Sequence, residues 1–232
     1  MVAVWGFKHM KFTPGIMAAK DWVPIAGAAI DLDFIKQKYW WGGALKTTGN
    51  FATYTLNGST FDANGLTPTG TIDVTISLSG LGAFETNCTW LFSGFNTSAP
   101  GSNRHAWQLD NGSNTDRTML QQTSTGVWQL LLNSGNVAQI GFNTGANAIG
   151  VKHAAGLSYE LNNSPGSANG VSAVGSPDVA CVMPVSLTTL RVGRNFTINT
   201  NPTMAIGRII IFQTKKTQTE LNDLTLSLLN MT

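Results

Sequence analysis

Charge is what this sequence has least of. Asp, Glu, Lys and Arg make up 11% of the 232 residues, against about a quarter in an average soluble protein. The signs nearly balance, at a formal +2, and Lys8, Lys11 and Lys20 are spread out rather than gathered into a stripe. That excludes an electrostatic nucleic-acid binder, which needs clustered cations to displace counterions from phosphate. Cysteine is scarce too. Cys88 and Cys181 are the only two, too few for a disulfide-built scaffold and without metal-ligand spacing, so they read as buried free thiols. No apolar run approaches the roughly 20 residues of a membrane helix, which argues against membrane insertion. The opening MVAVWGFKHMKF lacks the basic start and long apolar run of a signal peptide.

Chemistry-bearing groups are equally thin. Glu85, Glu160 and Glu220 lie far apart, and nothing resembles the paired carboxylates of a glycosidase. The three histidines, His9, His105 and His153, have no nucleophile elbow near them and no helical metal spacing. His153 sits in an apolar stretch and reads as a sheet or core histidine. The expectation is therefore no catalytic residue, no metal, no cofactor and no enzyme.

Gly, Asn, Ser and Thr take the place of charge, and they alternate with short apolar runs. Thr71 to Leu78 alternates strictly, with Ile72, Val74, Ile76 and Leu78 on one face, which is a half-buried strand. Cys88–Phe95, His105–Leu109, Arg117–Gln121, Gly126–Asn133, Val137–Phe142 and Ala148–Glu160 read as further strands. Asn57-Gly58, Asn64-Gly65 and Ser134-Gly135-Asn136 are turn signals between them. Asn162–Gly170 reads as loop and Val179–Met183 as a short strand, for roughly twelve strands in all. Ile30, Leu32 and Phe34 alternate with Asp31 and Asp33, which places the two carboxylates on a solvent face. Tyr39, Trp40 and Trp41 follow, and Gly42-Gly43 ends the run. Three adjacent aromatics suit either a ring-stacking platform for sugar or a strand edge that plugs the core, and the plug is the expectation.

The last forty residues organise the chain. Leu190 and Val192, then Ile206 to Phe212, read as a strand pair, and Ile209-Ile210-Ile211-Phe212 as a strand buried on both faces. The period then changes to helical. Thr217 and Glu220 form a capping box, with Leu221, Leu224 and Leu228 on one face.

Residues 1–29 differ from the rest. Trp5, Phe7, Phe12 and Trp22 show no clean period, and exposed they would promote aggregation. They must wrap their own domain or dock on a partner, and a partner-docking arm is the expectation, with residues 30–232 as the folded domain.

Leu190-Arg191-Val192-Gly193, Gly207-Arg208-Ile209-Ile210-Ile211-Phe212 and Thr217-Gln218-Thr219-Glu220-Leu221 resemble the closing motifs of the concanavalin A-like lectin/glucanase superfamily in its LamG-like jelly-roll form. Arg104, Asp110-Asn111-Gly112-Ser113, Arg117 and Leu120 look like its central hairpin, and Gly126-Val127-Trp128 like its next strand. The resemblance implies an all-β fold, an antiparallel two-sheet β-sandwich (jelly roll) with one short C-terminal helix. IDLDFIKQKYWWGG followed by LNGSTFDANGLTPTG is similar to domains of tailed-bacteriophage virion proteins. That implies a virion protein assembled in the host cytoplasm, in a tail fibre, spike or surface position, with adhesion to host surface glycan. Its partners would be other virion proteins, held through the arm, and further copies of itself, a trimer being common. A capsid decoration (cement) protein, using the sandwich as a rigid block and the arm as a clamp, is the alternative. A sugar site needs an aromatic platform beside amide and charged groups, and Trp107, Asp110, Asn111 and Arg117 are the candidate set; the alternative, and the expectation, is that Trp107 belongs to the core and the loop is merely solvated. Legume-type members hold calcium on clustered Asp and Asn, but Asp110, Asn111, Asn114 and Asp116 read as an ordinary polar hairpin turn.

Overall fold

Two antiparallel sheets face each other across a single apolar core. The computed structural model describes residues 22–98, 101–176, 181–196 and 203–231; Trp5, Phe7 and Phe12 lie outside them. Ten strands form one sheet. Its main path runs β15 (Val171–Ser172), β14 (Gly166–Ala168), β13 (Lys152–Tyr159), β8 (Cys88–Asn96), β18 (Met204–Phe212), β1 (Ile30–Asp33), β2 (Lys38–Trp41), β3 (Ala44–Lys46). A small hairpin of β5 (Thr60–Asp62) and β6 (Gly65–Thr67) attaches to β18. The eight-stranded sheet runs β16 (Val174–Ser176), β12 (Val137–Ala146), β11 (Val127–Ser134), β10 (Arg117–Gln122), β9 (Arg104–Asp110), β17 (Thr189–Val192), β7 (Asp73–Ser77), β4 (Thr53–Thr55).

The core follows from alternation. Ile72, Val74, Ile76 and Leu78 are all buried, as the pattern predicts. Trp90, Phe92, Ile209 and Ile211 meet Trp107, Leu109, Leu120, Trp128 and Leu130 from the opposite sheet. Trp90 and Trp107 pack edge to face, 4.6 Å between ring centres, a preferred geometry for two quadrupolar rings. Trp90 Nε1 donates to Thr118 Oγ1 at 2.9 Å, so the one polar atom it carries inward is satisfied. No disulfide joins Cys88 and Cys181, and both are buried.

One helix, α1 (Gln218–Asn230), covers the outside of the ten-stranded sheet. Leu221 and Leu228 pack there against Leu91, Ala154, Ile210 and Phe212. This is why β18 is buried along its whole length and on both faces: Ile209 and Ile211 point into the sandwich, Ile210 and Phe212 under the helix.

Five expectations are corrected. β17 and β18 form no strand pair, since they belong to different sheets. Asp31 and Asp33 are buried, not solvated. They share the outer face with Arg208, whose Nε and Nη2 bond the Asp31 carboxylate at 2.8 and 2.6 Å. Residues 162–170 are not all loop, since β14 adds to the sheet edge there. Cys181–Met183 forms no strand, and residues 177–180 lie outside the described ones. Eighteen strands among the described residues exceed the expected dozen because many are only two to four residues long.

Trp22 to Ala29 runs along the same outer face. Trp22 Nε1 donates to Asp33 Oδ2 at 2.9 Å, the Ile25 amide donates to Asp31 Oδ2 at 2.8 Å, and Arg208 lies over the Trp22 ring at 5.7 Å. This end of the arm is therefore packed on its own sandwich.

Candidate functional site

The outward face of the eight-stranded sheet carries a continuous assembly of polar side chains. Register builds it in rows. Arg117 lies opposite Asp110 on one side and Asn133 on the other. The next row places Arg191, Gln108, Met119 and Leu131 side by side. A third joins His105, Gln121, Gln129 and Asn143. A bulge between Leu120 and Gln121 lets His105 regain the outward face after Trp107 has pointed inward. The amide row is zipped together: Gln121 Nε2 donates to Gln129 Oε1 at 2.6 Å, and Gln129 Nε2 to Asn143 Oδ1 at 3.1 Å.

Charge on this face is paired unevenly. Asp110 is fully buried and takes two bonds from Arg191, from Nε at 2.7 Å and Nη2 at 3.3 Å. Gln108 Nε2 donates to the same carboxylate at 3.0 Å. Arg194 bonds Asp73 at 2.6 Å. Arg117 forms no ion pair among the described residues. Burial lowers its pKa from the usual arginine value, with the Asp110 charge opposing. His105 is held neutral, its pKa pushed down to about 4 by burial and then by the Arg117 charge.

Polar atoms remain over. His105 Nδ1, Gln108 Oε1 and Arg117 Nε are buried and find no hydrogen-bond partner among the described residues. An orphaned buried donor or acceptor costs about 1–3 kcal/mol, so three on one face are groups a ligand or ordered water would complete. One aromatic adjoins them. Phe196 is 38% exposed and stacks on the Arg191 guanidinium at 5.2 Å.

The expected residues divide accordingly. Asp110 and Arg117 stand opposite each other on this face. Asn111 lies in the turn just beyond, where its Nδ2 bonds Thr115 Oγ1 and Asp116 Oδ2 at 3.3 and 3.1 Å. Trp107 is no platform: it points into the core and is fully buried. Phe196, beyond the end of β17, is the aromatic that stacks on Arg191 here, and no periodicity in the sequence marked it. Gln108 was also missed, although the two-residue period from Asp110 marks it. Arg191 lies about eighty residues away in sequence, and only the β9–β17 pairing brings it here. The turn residues Asp116 and Asn111 bond within the hairpin and to its neighbours, Asp116 Oδ1 accepting from Ser134 Oγ at 3.2 Å and the Val185 amide at 3.2 Å. His153 is half-buried, with Nδ1 3.0 Å from the Asn169 amide nitrogen.

No family model matches the chain. No curated protein is similar to it in sequence. Solved structures do resemble it. Trypanosoma rangeli sialidase superposes with a TM-score of 0.64 at 15% identity, over 89% of this chain and 33% of that one. The same sialidase with sialic acid gives 0.62 at 14%, over 92% and 35%. The CBM40 of the Ruminococcus gnavus IT-sialidase, bound to α2,3-sialyllactose, gives 0.51 at 18%, over 61% and 83%. The likeness agrees with the two-sheet antiparallel β-sandwich described above. This chain spans about a third of the length of the sialidases it resembles, and at such identities the likeness establishes the fold alone.

The expectation of no enzyme is corrected here. It rested on the missing carboxylate pair, but the sandwich resembles part of sialidases, and sialidases use a tyrosine nucleophile in place of that pair. The lack of a Glu-x-Asp-x-x-Glu cluster therefore excludes no activity of that type.

Proposed function

We propose that the chain is a glycan-binding sandwich and that the outward face of β9, β10 and β17 is its sugar site. One observation carries this. Gln108 and His105 are buried on this face and Arg117 is half-buried, each with one hydrogen-bonding atom unfilled, and the exposed ring of Phe196 lies against the neighbouring Arg191. Convergent polar groups next to an aromatic are what a sugar's hydroxyls and apolar ring face require. Arg117 lacks a carboxylate of its own, so the site favours an acidic sugar whose carboxylate would complete that pair. The sialic acid and sialyllactose named with the sialidase and CBM40 structures support this class.

Titration calorimetry with 3′-sialyllactose and with lactose tests the site. The sialylated sugar should bind more tightly and lose affinity as salt rises. Arg117→Gln and Phe196→Ala should each weaken it, by about tenfold for one charged bond or one ring contact. Equal affinity for both sugars, or variants that bind like the parent, would overturn the reading.

The sandwich serves, in this proposal, as an adhesion module on a tailed-bacteriophage virion, assembled in the host cytoplasm and joined to other virion proteins through the part of the N-terminal arm that precedes Trp22. The support is the sequence resemblance in residues 30–70. Gold-labelled antibody against the protein, imaged on purified particles, should mark the tail tip. Label over the head would replace adhesion by capsid decoration, and particles without label would remove the virion placement.

A further inference from the structure

We propose that the depression beside Trp40, on the other sheet, is a second sugar subsite that takes a neutral pyranose ring by stacking. The three aromatics of β2 part company in the fold. Tyr39 and Trp41 are buried at 3% and 7% exposure and pack on Phe51 in the core. Trp40 points the other way and stays half-exposed. It lines an open depression of about 280 Å³ with Gly42, Gly43, Gly80, Leu81 and Gln213.

Each wall has a use. The indole presents a flat, electron-rich face, to which the polarised C–H groups of a sugar ring are attracted. Gly42 and Gly43 form the two-residue turn between β2 and β3, both with positive φ, at 58° and 76°. The turn therefore contributes bare backbone, and no side chain, to its part of the depression wall. Gln213 Nε2 donates to the carbonyls of Leu81 at 2.6 Å and Ala83 at 3.2 Å. These two bonds fix the orientation of the amide. Its Oε1 makes no hydrogen bond among the described residues and is left as an acceptor for a hydroxyl. None of the lining residues is charged, so the subsite gives no advantage to an acidic sugar. Its ligand class differs from that of the open face, and it does not rest on that site's being correct.

Saturation-transfer NMR on the full chain tests this, with methyl glucoside, methyl galactoside, methyl mannoside and N-acetylglucosamine as probes. At least one should show saturation of its ring C–H protons. Trp40→Ala should cut that signal about tenfold, the scale of one lost ring contact, and Trp40→Phe should retain part of it. Gly43→Asn is the second variant: a Cβ at Gly43 meets nothing within 4 Å, and Asn tolerates positive φ. It keeps the turn while placing a side chain at the rim, and it should reduce the signal as well. No ring-proton saturation from any probe would overturn the subsite. So would a signal unchanged in Trp40→Ala or, if that variant does not fold, in Gly43→Asn. The sialyllactose experiment uses other sugars and other variants, so either proposal can fail alone.

Discussion

Arg208 shows at the scale of one residue how a buried charge constrains its neighbours. It is 9% exposed, and Asp31 is fully buried beneath it. Taking both charges out of water is costly, and removing one leaves the other uncompensated. Arg208→Ala should therefore cost about 3–5 kcal/mol in urea unfolding. The double change Asp31→Leu with Arg208→Leu should recover part of that loss, because the two most buried charges go together, while Asp33, 3.7 Å from Arg208, keeps only its bonds from Trp22 Nε1 and the Lys36 amide. A double variant as unstable as the single one would place the cost in packing instead. His105 sets a pH dependence of definite sign. Its folded pKa is about 4 against an ordinary 6.5, so between those values the unfolded chain binds a proton that the folded chain does not. Its contribution to stability is complete above about 6.5 and is lost as pH falls toward 4. His105→Gln should flatten this stretch in a series of unfolding midpoints. His153, also lowered by burial, leaves a residual slope of the same sign.

Among the elements, α1 is held by its ends and its face. The Thr217 hydroxyl accepts from the Glu220 amide at 3.3 Å, and the Glu220 carboxylate accepts from the Thr217 amide at 2.8 Å. The bonds that the Thr217 amide and hydroxyl donate to it hold the Glu220 carboxyl below its ordinary range. Thr217→Ala should cost about 1 kcal/mol. Leu228→Ala, which opens the contact with the ten-stranded sheet, should cost about 2–5 kcal/mol. Chemical denaturation of the two variants ranks cap against face, and the opposite order would mean that the helix packs only loosely. The end of β17 is a different case. Gly193 has a φ of +80°, and a Cβ there would lie 2.4 Å from the Cβ of Ile72. Strain and overlap act together, so Gly193→Ala should lose more than the ~1–3 kcal/mol of a strained backbone alone, read as a lowered thermal midpoint.

At the scale of the whole molecule, the N-terminal side is tied to the C-terminal side. β1 pairs with β18, Ile30 opposite Ile211, across nearly the full chain. Trp22 and Ile25 then seal the Asp31–Arg208 pair from outside. Removing residues 1–29 should therefore lower the thermal midpoint relative to removing residues 1–21, since only the longer deletion uncovers that pair. Circular dichroism melts of the two truncations decide it, and equal midpoints would mean that the Trp22–Ala29 segment adds nothing to the sandwich.

The sequence alone was enough for whatever depends on neighbours within a few residues. Alternation marked β7, short runs between turns marked β9, β10 and β11, an unbroken β-branched run marked β18, and Gly and Asn placed the turns, because the pleat and the positive-φ requirement are local. The change of period at Thr217 marked α1 for the same reason. Asp110 and Arg117 were legible as a pair because a single hairpin joins them. Only the tertiary structure decided which face each strand turns outward and what meets it there. Trp107 reads like a platform but faces the core, whereas Phe196 reads like loop and stands beside the site. Asp31 and Asp33 read as solvated until Arg208 arrives from β18, and Gln108 and Asp110 meet Arg191 only through β17. Alternation divides residues between two faces. It carries no information about which distant strand, or which helix, will cover either of them.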